Sequence, residues 1–104
     1  MLVAQDKLDE ALKTYSDGLA LRERLTAADQ GNTQWQRNLA VSYTKLASVY
    51  ERQNRIADAL RMLTRGRDIV AALMAVSPGT AQWKNDLAWF EQQIAVLQGQ
   101  ARAQ

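Results

Sequence analysis

Chemistry in this chain would have to come from carboxylates, guanidinium groups, hydroxyls and aromatic rings, because its 104 residues include no histidine and no cysteine. That removes most nucleophile–base pairs and the usual transition-metal ligands. The acids gather as Asp6, Asp9 and Glu10 and then scatter. At that spacing they read as helix-start charges and i,i+4 partners rather than as an acid–base pair. The five glycines fall at turns and helix packing points, never as a phosphate-cradling loop. The expectation is a protein that is not an enzyme, with no catalytic residue, no cofactor and no metal site.

Two other groups could act on a partner. Arg52, Arg55, Arg61, Arg65 and Arg67 form the densest basic run, interrupted by Glu51, Asp58 and Asp68. Such a run can touch phosphates or an acidic peptide, but the interspersed acids and a net charge of only +2 fit the water-facing side of a helix better. Trp35 and Trp83 could offer stacking platforms for bases. They occur, however, at equivalent places of an internal repeat and on an apolar stripe, so packing between helices is the expectation for both.

That repeat sets the positions of everything else. The stretch GNTQWQRNLA at 31–40 returns as GTAQWKNDLA at 79–88, a shift of 48 residues. The register runs without a gap from 5–52 onto 53–100 with 12 identities, among them Ala11/Ala59, Leu12/Leu60, Gly18/Gly66, Leu25/Leu73, Trp35/Trp83 and Leu39/Leu87. A fixed period with matched apolar positions is the mark of stacked repeats.

Apolar residues recur at three- and four-residue steps through four stretches, which predicts four amphipathic helices of about 20 residues each. The first begins at an Asp6 cap and carries Leu8, Ala11, Leu12, Tyr15, Leu19 and Leu25 to a stop at Gly31. The second opens on a Thr33–Gln36 capping box and carries Trp35, Leu39, Tyr43, Leu46, Ala47 and Tyr50. The third starts from an Asn54 cap, carries Ile56, Ala59, Leu63, Val70 and Leu73, and is broken by Ser77-Pro78-Gly79. The fourth follows Thr80 with Trp83, Leu87, Phe90, Ile94 and Leu97, and a tail from about Gln98 is expected to fray. The fold class is therefore all-α, antiparallel helix hairpins in one domain over 1–104. No apolar run is long enough to span a bilayer, and a soluble cytoplasmic protein is the default.

Leu46, Ala47, Tyr50, Asn54, Ile56, Ala59, Leu63 and Gly66 stand at the offsets of the tetratricopeptide repeat, and Leu8, Ala11, Tyr15 and Gly18 repeat the second half of that pattern. The chain resembles that family, with a half repeat at 5–30, a full repeat at 33–78 and a half repeat at 80–98. Its period of 48 exceeds the family's usual 34, as in the extended repeats resembling those of kinesin light chains. The resemblance implies an α-solenoid fragment that binds a peptide or helix of another protein along the first helix of each unit. The positions so implied are Val41, Thr44, Ser48, Glu51 and Arg52, then Trp89, Gln92 and Val96. The family's clamp for a peptide carboxylate is missing, since Thr44 and Ser48 stand in its place, so a chaperone-tail receptor is not expected.

The copies also differ in a patterned way. Arg22, Thr26, Val41 and Ser42 become Val70, Met74, Trp89 and Phe90, so polar surface in the first copy turns apolar in the second. Apolar surface of that extent needs either a partner surface or a tighter local packing of the chain's own end, and the two readings stand level. Self-association through Val70, Met74, Trp89 and Phe90, giving a homodimer or an array, is the second functional reading. Nucleic-acid contact through the arginine run is the third and weakest.

Overall fold

In the computed structural model, which describes residues 2–103 and the side chains of 7–102, the chain forms four helices. They are α1 (Leu2–Ala28), α2 (Thr33–Arg52), α3 (Ile56–Val76) and α4 (Ala81–Ala103), with no strand among the described residues. The fold is all-α, built of antiparallel hairpins. Backbones approach closely only between α1 and α2, α2 and α3, and α3 and α4. Such a chain-ordered stack leaves the molecule elongated: its radius of gyration is 14.6 Å, against about 13 Å for a typical domain of this length.

The helix ends show where local chemistry overrides the sequence expectations. α1 already runs from Leu2, so Asp6 lies inside the helix rather than capping it; its side chain is outside the described residues. At α2 the cap is Asn32, whose side chain accepts from the Trp35 amide at 3.0 Å, and Thr33 is the first helical residue. Gln36 reaches back past it to the Gln30 carbonyl. Asparagine at the cap leaves the helix one residue earlier than a threonine cap would.

The α2–α3 turn places Asn54 at φ 61°, a left-handed conformation that asparagine tolerates better than most residues. Arg55, not Asn54, is then the residue before α3, without a side-chain cap bond. Its guanidinium pairs with Asp58 at 2.7 Å and lies over the Tyr50 ring at 4.6 Å, which ties the turn to both helices. After Ser77 the Pro78–Gly79 break leads to Thr80, whose carbonyl accepts from the Trp83 amide at 3.2 Å as α4 begins. α4 continues to Ala103, beyond the expected fraying point at Gln98.

The core is centred on α3. Ile56, Ala59, Leu63, Gly66, Val70 and Leu73 are all buried, a stripe at alternating three- and four-residue steps. Leu46, Ala47 and Ala40 of α2 close on it from one side and Trp83, Phe90, Ile94 and Leu97 of α4 from the other. Burying each large side chain contributes about 1.5–3 kcal/mol. α1 is held less deeply. Only Leu19 of its described side chains is buried, beside Tyr43 and Leu46.

Candidate partner-binding cleft

Between α2 and α4 lies a cleft of about 180 Å³. Its floor is apolar, formed by Ala40 and Val41 of α2, Val70 of α3 and Phe90 of α4, with Trp89 as one wall. The floor depends on Gly66. A Cβ at that position would stand 2.6 Å from Phe90 Cε1, 2.8 Å from Cζ and 3.3 Å from the Ala40 carbonyl oxygen. Only a missing side chain there lets the edge of the ring come this close to the α3 backbone. Phe90 in turn supports Trp89 edge-on, with ring centroids 5.2 Å apart at 81°. Trp89 remains 45% exposed, presenting its indole to whatever enters.

The rim is polar. Arg37 Nε donates to Asp86 Oδ2 at 3.0 Å across the cleft mouth, and both side chains are partly exposed. These residues are 49 apart in sequence, one repeat plus one residue. The Thr44 hydroxyl is already engaged, donating to the Val41 carbonyl at 2.6 Å. The cleft thus offers apolar area, an indole face and one ion pair. Its volume is several times the ~30 Å³ share of a water molecule, enough for one side chain of a partner. Among the described residues no group of three or more acids is placed to hold a metal ion.

Of the residues implied by the family resemblance, the structure gathers Val41, Thr44 and Trp89 around this cleft. Ser48, Glu51, Arg52, Gln92 and Val96 are exposed but do not line it. Arg52 faces the other way, bordering a shallow depression with Lys7, Leu8 and Ala11 of α1. Sequence reading missed Arg37, Ala40 and Asp86. The Arg37–Asp86 pairing had a signal, opposite charges near equivalent repeat positions, but only the packing of both α2 and α4 against α3 brings them within bonding distance.

The self-association set needs correction. Val70 is 1% exposed and Phe90 4%, both within this chain's own core, so neither can face a second subunit. Met74 is half-buried against the same core. Trp89 alone of the four is available. At Val70 and Phe90, and in part at Met74, the apolar drift is internal because α2 packs over α3 where it meets α4. Trp35 also departs from expectation: it is 36% exposed, whereas Trp83 is 8% exposed.

A second polar link joins three helices. The Tyr43 hydroxyl, buried between α1 and α3, donates to Glu23 Oε2 at 3.0 Å. Burial, and then the Glu23 carboxylate, push its pKa above the ordinary 10.0, while Arg65 on α3 opposes the rise. Three of the five arginines in the run have an acidic partner on their own helix or its first turn. Arg55 and Arg61 both pair with Asp58, and Arg67 pairs with Asp68. No helix of the described residues is long and apolar enough to cross a membrane. Compared with known proteins, the chain matches no family model, no curated protein and no solved structure.

Proposed function

We propose that this chain is a non-enzymatic interaction module of tetratricopeptide type, and that its α2–α4 cleft receives a peptide or helix of another protein. The observation that supports this is the exposed Trp89 standing on a buried Phe90 beside an apolar floor. A large, half-exposed indole with one face of contact already made by an edge-on ring offers apolar area at a small entropy cost, which is the property of a binding anchor. The Arg37–Asp86 pair at the rim can hydrogen-bond a peptide backbone passing over the cleft, while one apolar side chain of the peptide enters it. The 48-residue repeat and the family-like offsets of Leu46, Ala47, Ala59 and Gly66 support the tetratricopeptide assignment.

Selection of peptides from a random library on the folded chain, followed by titration of the winners, tests this reading. Trp89→Ala and Val41→Glu are expected to weaken binding by about tenfold or more, equivalent to ~1.4 kcal/mol. Ser48→Glu and Gln92→Lys, outside the cleft, should leave it within about twofold. Peptides indifferent to Trp89 and Val41 would sink the proposal.

A further inference from the structure

The structure contains its own example of a helix laid over a hairpin crevice, and the same crevice recurs, uncovered, one repeat earlier. α2 covers the α3–α4 crevice: Leu63, Gly66, Val70, Leu73 and Phe90 are buried beneath it, and the Ala40 carbonyl sits over Gly66. Shifted by 48 residues, these positions are Tyr15, Gly18, Arg22, Leu25 and Ser42 in the α1–α2 crevice. There Tyr15, Arg22 and Leu25 are exposed, nothing lies within 4 Å of a Cβ built on Gly18, and a depression of about 210 Å³ opens between Tyr15, Gly18, Arg22, Ser42 and Lys45.

We propose that a second copy of this chain lays its α4 over this crevice as α2 lies over α3–α4, joining copies head to tail. The joint does not depend on the peptide reading, but both use the exposed Trp89, so a peptide in the α2–α4 cleft and a second copy would compete for it. Variants at Ser42 and Gly18, outside that cleft, tell the two apart. Two observations favour a second copy as the occupant. First, α4 exposes Ala88 and Ala95, the equivalents of the buried Ala40 and Ala47, so small residues stand at the places where α2 makes its close approach. Ala88 would rest over the bare backbone of Gly18.

Second, bulk is exchanged across the joint. Within the chain, small Val41 on the covering helix meets large Phe90 in the crevice. In the proposed joint, large Trp89 on the covering helix meets small Ser42, which lies 8% exposed at the edge of the depression. The side chain missing from one partner is supplied by the other, as close packing requires. The indole would also face Arg22, which replaces Val70, a favourable cation–π arrangement. One feature opposes the joint. Glu91 takes the place of Tyr43, and its neighbour in this register is Asp17 at the position of Arg65. The association is therefore expected to be weak and stronger at moderate salt. Because its two faces differ, it yields open chains rather than a closed dimer.

Multi-angle light scattering and sedimentation of the chain, from micromolar to millimolar concentration, read the association directly. The mass of the parent should rise with concentration without levelling at a dimer, and Trp fluorescence should shift to the blue with it. Ser42→Phe overfills the joint and Trp89→Val leaves a hole, so each should weaken association by about tenfold. The double variant Ser42→Phe/Trp89→Val recreates the internal Phe90–Val41 pair and should recover it. A strictly monomeric parent at millimolar concentration overturns the proposal, and so does a double variant weaker than both singles. If Ser42→Phe loses helix content, Gly18→Leu decides the matter. That side chain enters open space in the monomer, does not touch the α2–α4 cleft, and should abolish association with helicity unchanged; association that survives it also overturns the proposal.

Discussion

Trp35 and Trp83 hold the same place in the repeat and follow the same kind of turn, yet one is 36% exposed and the other 8%. The contrast extends along both hairpins. Gly18 lies beside empty space while Gly66 lies under a phenyl ring; Arg22 is in solvent while Val70 is almost fully buried. Identical backbone plans have thus acquired different surfaces, and the difference follows position in the stack. Trp83 packs on α3, which has a helix on each side, whereas Trp35 lies beside α1, which touches only α2. A residue's burial in a stacked fold is decided by its neighbours in the stack as much as by its own helix.

Reciprocal substitutions test this difference between the hairpins. The largest expected effect is Val70→Arg, which places an unpaired charge in the core. It should cost more than about 3 kcal/mol and leave the chain largely unfolded by circular dichroism. The mirror change, Arg22→Val, should move stability by no more than about 0.5 kcal/mol. Equal effects at the two sites would mean that the hairpins are covered alike.

Glycine substitutions should differ even in sign. Gly66→Ala drives a methyl into Phe90 and the Ala40 carbonyl, and overpacking of this kind costs about 1–3 kcal/mol. Gly18→Ala meets nothing within 4 Å, and should stabilise α1 by about 0.5–1 kcal/mol through helix propensity alone. Urea midpoints of the two variants, on either side of the parent, would show this. Both falling below it would break the comparison.

The Arg37–Asp86 pair belongs to the covered hairpin, its counterpart being Asn85 and Asn38. A double-mutant cycle to alanine should give a coupling of about 0.2–1 kcal/mol, because both groups are partly solvated. The coupling should fall as salt is raised.

The smallest effect concerns Tyr43, at the seam between the hairpins. Its pKa is raised in the folded state, so the folded chain holds this proton at a pH where the unfolded chain has lost it. The resulting stability is fully present below pH 10.0 and is lost as pH rises through the folded value. Thermal melts should therefore fall more steeply above that pH for the parent than for Tyr43→Phe. Parallel curves would remove the effect.

Much of the fold was legible beforehand. The three- and four-residue steps of Ile56, Ala59, Leu63 and Val70 mark a helix face, and the breaks at Gly31, Asn54 and Pro78–Gly79 separate four of them. Helix ends were less legible, since Asn32 and Thr33, or Asn54 and Arg55, are adjacent residues competing for one role. Three of the cleft residues, Val41, Thr44 and Trp89, could be named from the family resemblance. Arg37 and Asp86 could not, because nothing in the sequence says how far α2 and α4 are offset where they meet.

Periodicity is local: it needs only the 3.6-residue turn of the helix and the burial of one side, so four helices and a 48-residue repeat follow from residue order alone. Whether Trp35 or Trp83, or Arg22 or Val70, is inside depends on a neighbour far along the chain. That was decided only when α2 closed over α3 and α4, because removal of a side chain from water is a property of the packed layer and not of the strand of sequence that carries it.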